Sequence, residues 1–438
     1  MRAFFYGLAD ALAGLLEPGE VFLAYLAAED SDFVRFNRNK VRQAGRVRQI
    51  ELTLELIEGR RHTGASCTLS GGMERDLPLI QALLARLRAQ CRLIPEDPYL
   101  LYATKLRNTE EIQLGTLPEA ATAVREIITA AKGLDLVGFW ASGALYRGFA
   151  NSLGQRNWYS SAPFNLDWSC YRQGDKAVKS GYAGFEWNQE KLSQRMDAVR
   201  NQLELLGKLP KTIEPGCYRV YLAPSALKEI FWLLAWDSFG LKSHKTRQTA
   251  FIKMIQEGRT LHPWVSLTEN NRAGLGPGFT EAGFIKPERV ELIERGGYSG
   301  CLVNPRSSQE YGVAVNSSEE SPASLDLAPG TLPLNEVLKR LDTGVYINNL
   351  WYCNFSDRND ARITGMTRYA CFWVEQGQLM APTEVMRFDE SLYNLLGERL
   401  LGLTVEREFI FDPDTYFRRS VSSLHLPGAL VEDFRFTL

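Results

Sequence analysis

The sequence predicts an α+β fold: an N-terminal α+β region followed by a large β-rich C-terminal domain with an antiparallel or mixed sheet. Three observations lead there. Ile50, Leu52, Leu54 and Leu56 alternate with Glu51, Thr53 and Glu55, the period of a half-buried antiparallel strand. Leu77, Ile80, Leu83, Leu84, Leu87 and Cys91 recur at the spacing of an amphipathic helix. Beyond residue 217, short β-type runs crowd together at 345–350, 369–375 and 378–385.

The elements follow in order. Phe4, Leu8, Leu12 and Leu15 fall on one helical face, and Asp10 interrupts the apolar stretch. An amphipathic helix is expected there rather than a signal peptide. Residues 21–27 and 33–36 read as two strands, and Ser70-Gly71-Gly72 breaks the chain before the helix over 77–91. Pro95, Pro98 and the polar residues 104–116 read as a linker. A second segment opens with a helix near 117–132 and continues with strands near 137–140, 158–171 and 177–185. Leu192, Met196, Val199, Leu203 and Leu206 mark its closing helix. In the third segment, a strand over 218–222 leads into a helix at Pro224-Ser225 carrying Leu227, Ile230, Phe231 and Leu234. Stretches 274–283 and 317–333 read as loops, and Gly377 supplies the positive φ for a hairpin between Val374 and Leu379. The expected domains are 1–95, 117–212 and 217–438, consistent with about two to four domains for this length.

Composition excludes several classes. With 50 basic and 52 acidic residues, the net charge of -2 leaves no nucleic-acid footprint. The longest apolar run, 230–236, is far short of the roughly 20 residues of a membrane helix. Seven cysteines without a CxxC pair point to free thiols in a reducing compartment, so a cytoplasmic location is expected.

Chemistry-bearing motifs are sparse. His62, His244, His262 and His425 show no HExxH or HExxxH spacing. Cys353, Cys371 and His425 could meet in space, but no spacing supports a metal site. A Cys–His pair needs only proximity; Cys301 follows Tyr298-Ser299-Gly300 without forming a nucleophile elbow, and no G-x-S-x-G occurs. Gly274-Leu275-Gly276-Pro277-Gly278 lacks the Lys-Ser/Thr of a P-loop. The aromatic residues Trp351 and Trp373 could floor a peptide groove, with core packing as the competing reading.

Three stretches resemble the TldD/PmbA family of peptidase-related proteins, in the right order. Val34-Arg35-Phe36-Asn37-Arg38-Asn39-Lys40-Val41 resembles its N-terminal strand–turn–strand, and Ala150-Asn151-Ser152-Leu153-Gly154 its "aNS-G" turn. The most specific is Ile363-Thr364-Gly365-Met366-Thr367-Arg368-Tyr369-Ala370-Cys371-Phe372-Trp373-Val374-Glu375-Gln376-Gly377, similar to the family's "SRGA-x-G-F-x-x-ENG" block. Metal-binding members carry HExxxH on the helix after the "L-x-P" strand end. Here that helix begins at Pro224, and Trp232, Leu233 and Asp237 occupy the motif positions. Indole cannot ligate zinc, and Leu233 cannot activate a bound water. The family's late cysteine ligand is also missing, since no Cys follows Cys371.

The resemblance therefore implies the TldE/PmbA-like branch: a subunit with no cofactor or catalytic residue of its own. It would assist proteolytic processing or degradation of peptides beside a zinc-bearing TldD-like partner, or as a homodimer. Arg368 is the groove contact the resemblance suggests, with a structural salt bridge as its alternative. Two rivals stand beside this reading: a self-sufficient peptidase or thiol hydrolase with an unrecognised site, and a non-enzymatic peptide-binding scaffold.

Overall fold

In the computed structural model, which describes residues 1–437, helix α1 (Arg2–Ala13) buries Phe5, Leu8, Ala9 and Leu12. Strands β1 (Glu20–Asn37) and β2 (Lys40–Glu58) form a long antiparallel hairpin. The strands expected at 21–27 and 33–36 are one. Glu29, Asp30 and Ser31 break the apolar pattern, yet their backbones pair with β2 and with a later strand. At the hairpin turn, Arg38 and Asn39 both have φ 52, the left-handed pair that a two-residue turn needs to match strand twist. Strand β3 (Arg61–Thr68) extends the layer, and α2 (Met73–Cys91) buries Ile80, Leu83, Leu84 and Leu87 against it.

Next come β4 (Thr109–Gln113), α3 (Ala120–Ala130), β5 (Asp135–Asn151), β6 (Arg156–Ser161), β7 (Phe164–Gln173), β8 (Lys176–Gly184) and α4 (Gln189–Leu206). The expected linker thus contains a strand: β4 pairs in parallel with β6, although it shows no apolar periodicity. The single strand expected over 158–171 is two, divided at Ala162-Pro163; proline has no amide hydrogen for a ladder. All eight strands form one sheet, in the order β3-β2-β1-β5-β6-β4, with β7 beside the other half of β5 and β8 beyond it. β1 pairs with β5 from Leu23↔Asn151 to Phe36↔Gly138, so segments 1–95 and 117–212 share this sheet.

The second half contains β9 (Gly216–Leu222), α5 (Pro224–Ala235), α6 (Leu241–Lys245), α7 (Ile252–Glu257), β10 (Leu267–Asn270), β11 (Arg289–Glu294) and β12 (Gly297–Tyr298). It continues with α8 (Pro305–Tyr311), β13 (Ser324–Leu327), α9 (Val337–Leu341), β14 (Gly344–Asp357) and β15 (Arg362–Glu375). It ends with β16 (Gln378–Pro382), β17 (Arg387–Ser391), β18 (Leu400–Phe411) and β19 (Ser423–Phe436). These strands form an eleven-stranded mixed sheet in which β9 also pairs with β19, closing a circuit through β14, β15 and β17. The 317–333 loop holds β13, a four-residue strand between β10 and β19. The expected hairpin at 376–377 is present, with φ 49 at Gln376 and 74 at Gly377.

The α+β fold is therefore two sheets with helices packed on them. The lobes are fused: Ala370 and Phe372 of β15 belong to the core formed by α3, α4 and β7. Full burial of a side chain such as Phe372 is worth about 1.5–3 kcal/mol, so this shared core holds the lobes in one arrangement. No helix among the described residues is long and apolar enough to cross a membrane.

Candidate functional site: the cleft between the lobes

A cleft of about 650 Å³ lies between the lobes, bounded by β8 and α4 on one side and by the β9–α5 junction, β14 and β18 on the other. That volume suits a small organic ligand or short peptide segment. β8 is the last strand of its sheet, and every residue from 178 to 183 borders the cleft, as does every residue from 406 to 411 of β18. A strand showing one face to a cavity would contribute alternate residues; unbroken runs mean that strand edges face it. The β8 edge is partly occupied. Arg195 Nη1 donates to Gly181 O at 2.8 Å, and Asn348 Nδ2 to Lys179 O at 3.2 Å. Side chains, more than free backbone, therefore greet whatever enters.

Helix α5 brings its first turns to this cleft. Pro224 sits in its first turn, where a missing amide hydrogen costs nothing. Leu227, Ile230, Phe231 and Leu234 anchor the helix in the second-lobe core. Ala223, Pro224, Ser225 and Lys228 border the cleft, and Ser225 Oγ donates to Asn348 O at 2.5 Å, fastening the helix start to β14. Lys228 is only 5% exposed. Burial pulls its ammonium below the usual lysine range, helped by neighbouring Lys179 and opposed by Glu229 and Asp167. Its Nζ stacks 4.7 Å from the Trp232 ring and 3.6 Å from Glu229 Oε1.

The cleft is cationic although the chain is not. Lys179, Lys191, Arg195, Lys228 and Arg407 border it against Asp167, Glu406 and Glu408. Arg195 lies 3.5 Å from Glu408, Lys179 lies 4.0 Å from Asp167, and Arg407 pairs with Asp326. Lys191 is exposed, and Lys228 is the buried lining cation, 3.6 Å from Glu229 Oε1.

The residues singled out from sequence fall in three places. Trp232 and Leu233 are half-buried against the second-lobe core. Asp237 lies beyond the end of α5, exposed and at φ 62, so it does not share a helical face with them. Arg368 and Trp351 meet at the irregular part of β14 and β15, with the guanidinium 4.8 Å from the indole and 5.4 Å from Tyr369. Arg368 has no salt-bridge partner among the described residues. Trp373 is elsewhere, buried in the core beneath Lys211 Nζ at 4.4 Å. None of these three borders the cleft. Lys228, Lys179, Arg195 and Asn348 were not singled out. Lys228 carried the only readable signal, a lone lysine between apolar helix positions, but its burial depends on the other lobe.

Zinc requires imidazole, thiolate or carboxylate ligands. From α5, Pro224, Ser225 and Lys228 border the cleft, and a buried ammonium repels a divalent cation. Among the described residues, no three His, Cys, Asp or Glu side chains are grouped to hold a metal ion. These residues do not fit zinc. Nor are the thiols of Cys170, Cys301, Cys353 and Cys371 activated. Burial pushes Cys371 up to about 11 and Cys170 and Cys353 up to about 12, and it raises Cys301 beside Tyr298 as well. Thiols so shifted carry almost no thiolate at neutral pH.

Two fused sheets, a cleft between them, and a helix rising from its floor define the class: a two-lobed α+β protein built around an interlobe cleft. The chain belongs to the PmbA/TldD family, for residues 215–438 match the model of the PmbA/TldA metallopeptidase C-terminal domain. Among solved structures, it resembles TldE from Thermococcus kodakarensis at 13% identity, covering 99% of this chain and 100% of that one, with a TM-score of 0.78. A proposed modulator of DNA gyrase from Thermotoga maritima matches at 16% identity over 99% and 100% of the two chains, with a TM-score of 0.76. Another from Bacteroides thetaiotaomicron matches at 13% identity over 100% and 98%, with a TM-score of 0.74. At such identities the likeness is one of fold. No curated protein matches the chain in sequence.

Proposed function

We propose that this chain is the zinc-free, TldE-like subunit of a cytoplasmic peptide-processing assembly, holding peptide substrate while a zinc-bearing TldD-like partner cleaves it. One observation carries the reading: where the family's metal helix would need imidazole and carboxylate, this chain has Trp232, Leu233 and Asp237, and the side of α5 that borders the cleft carries Lys228. The cleft's size and its polar, cationic lining suit a bound peptide. Trp236, Tyr352, Tyr416 and Phe417 are exposed large aromatics, the side chains that partner surfaces commonly cover.

The test is affinity purification of the full chain from its native host, with metal analysis and a peptidase assay with and without chelator. Recovery of an HExxxH-bearing relative is expected, with chelator-sensitive cleavage only in the complex. Stoichiometric zinc and cleavage by this chain alone would sink the reading in favour of a self-sufficient peptidase. Recovery of the chain without any such relative would favour the scaffold.

A further inference from the structure

We propose that Tyr221, Tyr346 and Asn348 form a subsite in the interlobe cleft that takes a main-chain amide of the bound peptide, the phenol hydroxyls donating to its carbonyl and Asn348 Oδ1 accepting from an N–H. This rests on the peptide-holding reading and specifies the group recognised.

The cations that border the cleft, exposed Lys191 apart, already have counterparts. Lys228 lies 3.6 Å from Glu229, Lys179 4.0 Å from Asp167 and Arg195 3.5 Å from Glu408, while Arg407 pairs with Asp326. Three neutral groups are left over. Tyr221 is 1% exposed and Tyr346 half-buried, both border the cleft, and neither hydroxyl hydrogen-bonds to any described residue. Neither hydroxyl is sealed in the core, so each opens on the cleft. Asn348 is 8% exposed and borders the same cleft. Its Nδ2 donates to Lys179 O at 3.2 Å and to Asn349 Oδ1 at 2.9 Å. Both amide hydrogens are thus used, and among the described residues nothing donates to its Oδ1.

Strand pairing brings these groups together. β9 and β14 run parallel with Tyr221 opposite Tyr346, so the two rings stand side by side, 5.2 Å between centroids. Leu341, Val374 and Leu430 pack around Tyr221. Its hydroxyl lies against Gly428, where a Cβ would be 2.1 Å away; the missing side chain makes room for the phenol. Asn348 stands two residues beyond Tyr346 on β14, where side chains return to the same face. Burial holds both phenols well above their usual pKa, so at neutral pH each keeps a proton to donate. Hydrogen-bonding groups withdrawn from bulk water favour a ligand that partners them and reject one that leaves them unpaired. A peptide unit offers a carbonyl acceptor and an N–H donor in one plane, which matches phenol donors and an amide acceptor with no charge involved.

The experiment is a calorimetric titration of the full chain, alone and in its purified native assembly, with tripeptides acetylated at one end and amidated at the other. Their middle side chain is neutral, acidic or basic, and the neutral peptide is also made with its amides replaced by esters one at a time. Wild-type protein is expected to bind the three all-amide peptides with similar affinity. At least one ester, which lacks the N–H for Asn348, should bind about ten-fold more weakly. Tyr221→Phe and Tyr346→Phe remove only a hydroxyl. Each should weaken all three amide peptides by roughly five- to ten-fold, with thermal melts showing both variants folded. Unchanged affinity in both variants overturns the amide subsite and leaves peptide holding intact, as do esters that all bind as tightly as the amide. Affinity set by the charge of the middle side chain overturns it too. No binding of any peptide by chain or assembly overturns the peptide-holding reading itself.

Discussion

Burying an ammonium opposes folding because the charged form loses its hydration, and Lys228 is in that position. Its proton affinity is lower folded than unfolded, so its charge costs stability below the ordinary lysine value of 10.5. Replacing it with Met should therefore raise stability by about 1 kcal/mol, the usual gain when a functional strain is removed; a urea melt showing a loss would contradict this. His62 works the other way. Its Nδ1 lies 2.5 Å from Glu55 and its Nε2 3.1 Å from Asp97, and these bonds, Glu55 first, raise its pKa above the usual 6.5 despite burial. A raised folded pKa contributes stability that is complete below about 6.5 and disappears as pH climbs through the folded value. Melting curves from pH 5 to 9 should show that decline in the wild type and lose it in His62→Gln. Identical slopes would refute the assignment. Neither residue could be ranked from sequence, since Lys228 is buried beside Lys179 and Asp167 of the other lobe, and His62 meets Asp97 35 residues away.

At the level of elements, side-chain period was a good guide wherever one face meets the core. Ile50, Leu52, Leu54 and Leu56 are all buried on β2, and Leu192, Met196, Val199, Leu203 and Leu206 all on α4. It failed where backbone pairing, not side-chain burial, makes the strand. β4 is exposed and acidic, yet pairs with β6; β13 is only four residues long, yet sits inside the large sheet. The parallel contact of β14 with β9 is tight in the same backbone sense. A Cβ added at Gly344 would lie 2.1 Å from Arg219 O, and that carbonyl cannot move without disturbing β9. Gly344→Ala should cost about 1–3 kcal/mol by overpacking. Equilibrium urea unfolding would measure it, and an unchanged midpoint would show that the two strands separate easily.

Across the whole molecule, the C-terminal segment is stitched back onto the first sheet. The Arg419 guanidinium is buried and donates to Ser31 Oγ, Gly143 O, Pro163 O and Asn165 Oδ1, while its backbone amide donates to Glu29. This holds the stretch bearing Tyr416 and Phe417, which are 82% and 78% exposed. Arg419→Ala strands those acceptors and should cost about 2–3 kcal/mol. Limited proteolysis should then cut between 412 and 420 faster than in the wild type, with the rest of the chain still folded. Protection equal to wild type would mean that the segment is held by other contacts.

The order of residues alone determined the α+β class, the long amphipathic helices, the turn at Gly377 and the family blocks. Each of these is a local pattern, set by side-chain period or by a short run of neighbours. Tertiary structure decided that the first two segments share one sheet, that Trp373 belongs to the core while Trp351 meets Arg368, and that a lysine of α5 is sealed beside a cleft. Those outcomes depend on contacts between residues far apart in the chain, and burial of a charge is a property of the surroundings that no local spacing encodes.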